Sequence, residues 1–137
     1  MTSAIVDTGP IVALLNSADA HHDWTRDVLG SIEPPLVTCE PVVSEACFLL
    51  RRIDGGQDAV LELIERGIII VDFSLRTELP TIRKLMQKYA SVPMSLADAC
   101  LVRMSELDTK AKVITLDSDF KIYRRNRRQS IPSVSPR

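Results

Sequence analysis

Four acidic residues of the sequence lie beside apolar segments and are candidates for joint chemistry. Asp7 and Asp117 each follow a short apolar strand, and Glu45 and Asp98 lie in predicted helices on faces shared with apolar residues. Clustered carboxylates raise each other's pKa values unless a cation intervenes. Mg²⁺ and Mn²⁺ are hard divalent ions that prefer all-oxygen ligands. The four acids therefore predict a metal site that activates water and holds a phosphate oxygen for in-line displacement.

Each of these acids also has an ordinary structural interpretation. Asp7 and Asp98 occupy positions from which a carboxylate caps a helix, and Asp98 completes a Ser-x-x-Asp capping box. Glu45 could reach water at the edge of its helix or pair with Arg51 or Arg52. These alternatives stay open for each acid alone. The joint pattern favours a cation site, because no Lys or Arg stands beside Asp7 or Asp98.

Acids at strand ends are a weak signal by themselves. Asp72 follows the apolar run at 68–71 in the same way, so the pattern over-predicts. Asp119 lies two residues after Asp117, and a turn could aim either carboxylate inward. The sequence leaves open which of these two residues is the fourth acid.

Apolar strands alternate with helices along the chain. Strands are predicted at 4–6, 36–39, 68–71 and 112–116, and helices at 10–18, 19–30, 41–52, 57–66, 80–89 and 95–107. This alternation predicts a parallel sheet with helices on both faces, which is a three-layer α/β/α domain. The unalternated apolar run at 68–71 predicts a strand that is buried on both faces.

Length and composition indicate one soluble domain spanning residues 1–137. The chain is 45% hydrophobic, which argues against disorder, and it has no apolar run long enough to cross a membrane and no secretory signal. Cys39, Cys47 and Cys100 are odd in number and lack C-x-x-C spacing. This pattern argues against disulfides or a zinc site and is typical of the reducing cytoplasm. We expect the three cysteines to be small buried hydrophobic residues.

Charge is distributed unevenly, although the net charge is only −1. The first 119 residues carry 11 basic and 18 acidic side chains, whereas the tail at 121–137 carries six basic side chains and no acid. An acidic body with a basic tail predicts an anionic partner near the tail. The alternative is a solvated end that keeps the protein soluble.

Four segments resemble the motifs of PIN-domain ribonucleases. They lie at 7–14, 40–46, 95–99 and 115–120, and their acids are Asp7, Glu45, Asp98 and Asp117. The order, spacing and overall size agree over essentially the whole chain. Within the family, the compact length is most similar to the VapC-type toxins of bacterial toxin–antitoxin pairs.

The resemblance implies a parallel sheet with strand order 3-2-1-4-5. The strands that end in Asp7 and Asp117 would be central, and Asp72 would lie at an edge of the sheet. It also implies an endoribonuclease that depends on Mg²⁺ or Mn²⁺, with Asp7 and Asp98 binding the metal most directly. Glu45 and Asp117 would complete the site, hold a second ion or orient the water. Thr8 and Thr115 would support these acids or contact phosphate.

The partners that the resemblance implies are an RNA substrate, often a second copy of the chain, and in a toxin a small DNA-binding antitoxin. Basic residues of the tail are candidates for contacts with RNA phosphates, and dimer or antitoxin contact is their alternative role. These residues are Arg124, Arg125, Arg127 and Arg128. A non-catalytic PIN-like module that binds RNA or a partner stays open. A receiver-like signalling domain is disfavoured, because a single acid follows the first strand and no lysine follows Asp117.

Overall fold

The fold is built on a five-stranded parallel sheet. A computed structural model describes residues 4–136. Its strands are β1 (Ala4–Val6), β2 (Leu36–Thr38), β3 (Ile69–Val71), β4 (Lys112–Ile114), β5 (Arg124–Arg125), β6 (Gln129–Ser130) and β7 (Ser133–Val134). The main sheet has the order β3-β2-β1-β4-β7, and all its neighbouring strands pair in parallel. Strands β5 and β6 form a separate antiparallel hairpin.

Helices flank the sheet and complete an α/β/α arrangement. They are α1 (Thr8–Leu15), α2 (His22–Gly30), α3 (Glu40–Leu49), α4 (Gly56–Glu65), α5 (Leu75–Lys88) and α6 (Leu96–Leu107), with a 3₁₀ turn at Ser118–Lys121. Helices α1 to α4 pack against one another, and α5 packs on α6. The predicted fold class is confirmed, and so is the implied strand order, in which β7 takes the fifth position. Within residues 4–136, no helix has the length and apolar character needed to cross a bilayer.

The core lies where the central strands meet the helices. Ile5, Val6, Val113 and Ile114 are almost completely buried, as expected for strands with neighbours on both sides. The prediction that the strand at 68–71 is buried on both faces is wrong, because Ile70 is 38% exposed. Among the described residues, β3 lies at the edge of the sheet and pairs with β2 alone, and of its three residues Ile69 is buried whereas Ile70 is exposed.

Helix α5 begins at Leu75 rather than at Pro80. The hydroxyl of Ser74 accepts a hydrogen bond from the backbone N–H of Thr77 at 3.1 Å and caps the helix. Pro80 therefore lies inside α5, where its missing N–H removes one helical hydrogen bond without ending the helix.

The C-terminal segment is folded onto the domain rather than solvated. Phe120, Tyr123 and Ile131 are buried, and β7 adds the last strand to the sheet. In the hairpin between β5 and β6, Asn126 and Arg127 have φ angles of 47° and 75°, the left-handed values that such tight turns need. The part of the basic tail that the structure describes, residues 121–136, is therefore packed onto the domain, and Arg137 lies outside the described residues.

Candidate active site

The predicted site residues meet at the carboxyl ends of β1 and β4. A cavity of about 430 Å³ opens there. It is lined by Asp7, Thr8, Gly9, Glu45, Leu49, Pro93, Ser95, Asp98, Leu116, Asp117 and Asp119. Every acid that the sequence singled out for the site lines this cavity, whereas Asp72 lines a different one on the α5 side of the molecule. Asp72 follows β3 at the edge of the sheet, so it is separated from Asp7 and Asp117, which follow the central strands β1 and β4.

Asp7 is the most buried acid of the site. It is 6% exposed, and as the N-cap of α1 its Oδ1 accepts a 2.7 Å hydrogen bond from the backbone N–H of Thr8. Its Oδ2 accepts a 2.8 Å hydrogen bond from the hydroxyl of Thr115. Burial raises the pKa of Asp7 to about 6, and these two hydrogen bonds only partly offset that effect. Asp7 therefore both caps a helix and presents a poorly solvated carboxylate to the cavity.

Gly9 allows the start of α1 to approach the end of β4. A Cβ atom at this position would lie 3.2 Å from Leu116 Cβ, which is tighter than ordinary contact. The missing side chain keeps the first turn of α1 against the segment that carries Thr115 and Asp117. Close packing of these two segments brings the two strand-end acids to one cavity.

Asp98 lies in the first turn of α6, beside the Ser95 cap. The hydroxyl of Ser95 accepts a 3.0 Å hydrogen bond from the backbone N–H of Asp98, so the capping interpretation is correct for Ser95. Asp98 Oδ2 in addition accepts a 2.8 Å hydrogen bond from the hydroxyl of Tyr123. Burial, helped by the charge of Asp117, raises the pKa of Asp98 above its ordinary value. Ser95 thus caps α6, and the carboxylate of Asp98 in the first turn lines the cavity.

Asp117 and Asp119 differ in how they relate to the other acids. Asp117 caps the 3₁₀ turn, since its Oδ1 accepts a 2.9 Å hydrogen bond from the backbone N–H of Asp119. The charge of Asp117 raises the pKa values of both Asp7 and Asp98. The charge of Asp119 acts more strongly than that of Asp117 on Tyr123. The charge of Asp117 therefore acts on both Asp7 and Asp98.

Glu45 lies at the mouth of the cavity. Its side chain is exposed, and Leu49 one turn later is 51% exposed, so only the Val42 part of this helix face is buried as predicted. Among the described residues, no ion pair joins Glu45 to an arginine. The guanidinium of Arg51 instead lies 3.9 Å from the Phe48 ring centroid and donates to the Phe48 carbonyl at 2.8 Å. Glu45 is free to face the cavity.

Tyr123, which the sequence analysis did not single out, donates a hydrogen bond to an acid of the cavity. It is fully buried, and burial first, then the hydrogen bond to Asp98, raises the pKa of its hydroxyl, so the hydroxyl stays a donor. It belongs to none of the recognised motifs. The only available signal is an aromatic residue among basic ones.

The donor set suits a hydrated divalent cation. The site presents carboxylate and hydroxyl oxygens, and no basic side chain in the described part of the chain forms an ion pair with Asp7, Asp98 or Asp117. Across residues 4–136, no three His, Cys, Asp or Glu side chains are arranged to ligate one ion directly. Mg²⁺ usually keeps several waters and takes one or two carboxylates, which the acids lining this cavity could supply.

The three cysteines do not contribute to this donor set. All three are free thiols; Cys39 and Cys100 are buried and Cys47 is partly buried. The prediction that they act as small hydrophobic residues is confirmed for Cys39 and Cys100, both of which belong to the core cluster.

The four tail arginines have different environments. Arg127 and Arg128 are exposed, and Arg124 is half-buried with its guanidinium donating to nearby backbone carbonyls. Arg125 is only 3% exposed, and its guanidinium donates to the carbonyls of Ser105 at 2.9 Å and Thr109 at 3.1 Å. The expectation that Arg125 is a candidate for RNA contact is therefore corrected: its side chain ties the hairpin to α6.

Comparisons with known proteins agree with this architecture. The PIN domain family model matches residues 4–126. No curated protein sequence matches the chain significantly. Among solved structures, VapC20 of Mycobacterium tuberculosis, described as a sarcin–ricin loop cleaving toxin, is 23% identical, with coverage of 88% of this chain and 94% of that chain and a TM-score of 0.73.

Two further structures share the fold at lower identity. VapBC2 of Rickettsia felis, solved with a DNA fragment from its promoter, is 13% identical over 99% of this chain and 100% of that chain, with a TM-score of 0.65. FitAcB of Neisseria gonorrhoeae is 16% identical over 84% of this chain and 88% of that chain, with a TM-score of 0.56. The family match over most of the chain, the strand order and the acidic cavity together show that this chain belongs to the PIN domain family.

Proposed function

We propose that this protein is an endoribonuclease of the VapC type that depends on Mg²⁺ or Mn²⁺. The observation that supports this function best is the shared cavity of Asp7, Glu45, Asp98 and Asp117. Two of these acids have raised pKa values, which is the situation that a bound cation relieves. The family membership favours phosphodiester hydrolysis over other metal-dependent reactions.

The four acids have different roles in metal binding, which follow from their positions. Asp7 and Asp98 hold the ion, because burial raises the pKa values of both carboxylates and both lie at the ends of secondary-structure elements. Asp117 and Glu45 complete the site by orienting the attacking water or holding a second ion. A bound divalent ion supplies a more acidic water and stabilises charge on the phosphate. Asp117 is the fourth acid rather than Asp119, because its charge acts on both Asp7 and Asp98.

The two threonines have separate roles. Thr115 orients Asp7 through its 2.8 Å hydrogen bond. Thr8 lines the cavity, and its Oγ1 is buried without a hydrogen-bond partner among the described residues. A buried hydroxyl without a partner is costly, so its donor is available to a ligand oxygen. We assign Thr8 to contact with a phosphate oxygen of the substrate.

The substrate is RNA, and the exposed part of the basic hairpin contacts its phosphates through Arg127 and Arg128. VapC20 is described as cleaving the sarcin–ricin loop, so an RNA of that class is the first substrate to test. The VapBC and FitA-type neighbours support a small DNA-binding antitoxin as partner, and we propose a homodimer that acts in the cytoplasm.

The decisive experiment compares wild type with Asp7→Asn and Asp98→Asn on a sarcin–ricin loop RNA and unrelated RNA hairpins. We expect cleavage that requires Mg²⁺ or Mn²⁺, stops with a chelator, and falls by about 100-fold or more in both variants. Asp72→Asn is the matched control, since Asp72 also ends a strand but lines another cavity, and it should cleave normally. Full activity of both site variants would dismiss the assignment. RNA binding without metal-dependent cleavage would favour the non-catalytic module.

A further inference from the structure

Tyr123 connects the basic C-terminal segment to the acidic cavity. Its side chain is fully buried, and its hydroxyl donates a 2.8 Å hydrogen bond to Asp98 Oδ2. We propose that Tyr123 is a positioning residue that fixes the Asp98 carboxylate in the orientation needed to hold a divalent cation. This inference rests on the proposed function, because it concerns how Asp98 serves that site.

The ring of Tyr123 is held in one place by two other aromatic rings. Its centroid lies 5.1 Å from that of Tyr89 with an interplanar angle of 69°, and 5.3 Å from that of Phe120 with an angle of 86°. These are edge-to-face contacts, which are specific in geometry as well as apolar. Contacts on two sides of the ring fix the position of the Tyr123 hydroxyl beside Asp98.

The backbone on the C-terminal side of Tyr123 is held as firmly. The backbone N–H of Arg124 donates to the hydroxyl of Tyr89 at 2.8 Å. The buried guanidinium of Arg125 binds the Ser105 carbonyl at the far end of α6. The segment therefore contacts α6 near its first turn through Asp98 and near its last turn through Ser105. Packing of the hairpin along the helix fixes the position from which Tyr123 reaches the cavity.

Asp98 needs such a donor because of where it lies. Asp7 is held by the Thr8 N–H and the Thr115 hydroxyl, and Asp117 is held by a backbone N–H of its own turn. Asp98 projects from a first helical turn, where Ser95 also acts on its carboxylate, and the Tyr123 hydroxyl, with the larger effect, fixes its Oδ2. Mg²⁺ demands near-ideal octahedral geometry, so freedom of one carboxylate weakens binding. Hydrogen-bond partners of metal ligands typically change metal affinity or activity by 10- to 100-fold.

The test compares Tyr123→Phe with Tyr89→Phe. Tyr89 belongs to the same aromatic cluster, and its hydroxyl accepts from Arg124 instead of donating to an acid. Mn²⁺ binding is measured by the loss of the free-ion paramagnetic resonance signal, and folding by the thermal midpoint. We expect Tyr123→Phe to raise the Kd for Mn²⁺ about 10-fold. Tyr89→Phe keeps the ring that packs on Tyr123 and leaves the Tyr123 donor to Asp98 in place, so it should change the Kd less than about 2-fold. Cleavage by Tyr123→Phe should need more Mg²⁺ and recover as Mg²⁺ is raised.

A double-mutant cycle separates this inference from the proposed function. In an Asp98→Asn background, Tyr123→Phe should produce no further change in the Kd for Mn²⁺, because the oriented carboxylate is already absent. If Asp98→Asn weakens Mn²⁺ binding while Tyr123→Phe only lowers the thermal midpoint, the positioning role is overturned and the site stands. If Asp98→Asn binds Mn²⁺ as wild type does, the proposed metal site and the role of Tyr123 are both overturned.

Discussion

The hydroxyl of Thr115 donates a 2.8 Å hydrogen bond to Asp7 Oδ2, so a residue that follows β4 orients the acid that follows β1. The same Thr115 oxygen accepts a 2.9 Å hydrogen bond from the backbone N–H of Asp117. One buried hydroxyl therefore sets the geometry of both strand-end acids. This contact connects the ends of β1 and β4, which are neighbouring strands of the sheet. The site therefore needs both strands.

Thr115→Val tests this contact because it removes the hydroxyl and nearly preserves the shape. We expect cleavage to fall by roughly 10- to 100-fold, and the free energy of unfolding by about 1–2 kcal/mol because Asp7 loses a buried hydrogen bond. Thr25→Val is the matched control. The Thr25 hydroxyl is buried on α2 and has no hydrogen-bond partner within residues 4–136, so its removal should leave cleavage unchanged and stability equal or higher. Equal losses of cleavage in both variants would contradict the role of Thr115.

The raised pKa of Asp7 predicts how stability of the metal-free protein depends on pH. Burial raises this pKa from 3.8 in the unfolded chain to about 6 in the folded one. The protonated carboxyl is therefore favoured by folding, and its contribution is fully present below about pH 4 and is lost as pH rises through about 6. Asp7→Asn should remove this dependence and raise the free energy of unfolding near pH 7.5 by on the order of 1–2 kcal/mol.

Urea unfolding at pH 5 and pH 7.5, with a chelator present, measures the effect. The expected pattern is a gain for Asp7→Asn at pH 7.5 that shrinks at pH 5. Added Mg²⁺ should stabilise wild type at pH 7.5 and not Asp7→Asn, since the ion binds the ionised carboxylate. A variant that is less stable than wild type at both pH values would refute the burial cost assigned to Asp7.

The choice between Asp117 and Asp119 is open to a direct comparison. Asp117→Asn should lower metal-dependent cleavage by about 10-fold or more, because the charge that acts on Asp7 and Asp98 is removed. Asp119→Asn should retain most of the activity, since its backbone N–H still donates to Asp117. Initial rates over a Mg²⁺ titration measure both. The reverse order of the two losses would make Asp119 the fourth acid.

The parts of the site that were predictable from the sequence are those that local pattern encodes. Asp7 and Asp117 follow apolar strands, and a parallel sheet brings the carboxyl ends of its strands to one edge. The capping serine of α6 was equally visible in the Ser-x-x-Asp pattern. These signals depend on residues that are close in sequence, so they can be recognised without knowing the tertiary structure.

The features that were missed depend on tertiary packing. Strand β7 has only two residues, too few for a periodicity, and pairing with β4 defines it. Ile70 is exposed because β3 lies at the sheet edge, which is a property of topology. The charge of Arg125 predicts a surface position, but its buried guanidinium donates to the backbone carbonyls of Ser105 in α6 and of Thr109 just beyond α6. Tyr123 likewise acquires its role from its contact with a helix distant in sequence.

Arg125 and Arg127 are predicted to have opposite roles although they are two residues apart. Arg125→Ala should lower the free energy of unfolding by about 2–4 kcal/mol, because the buried carbonyl of Ser105 and the partly buried carbonyl of Thr109 lose a charged donor. Arg127→Ala should change the free energy of unfolding by less than about 0.5 kcal/mol, because the side chain is exposed. Arginine and alanine at position 127 would bear the same cost of the left-handed backbone conformation.

Arg127→Ala should weaken RNA binding, although it should leave stability nearly unchanged. Removal of one phosphate contact lowers the dependence of log Kd on log salt by roughly 0.7–0.9. Urea unfolding and fluorescence anisotropy with labelled RNA over a salt series measure the two effects. Arg26→Ala is the control for charge alone, because Arg26 is an exposed arginine on α2, remote in sequence from the hairpin. An unchanged salt dependence in Arg127→Ala would exclude this side chain from the RNA interface. A stable Arg125→Ala variant would show that the carbonyls of Ser105 and Thr109 bind water instead.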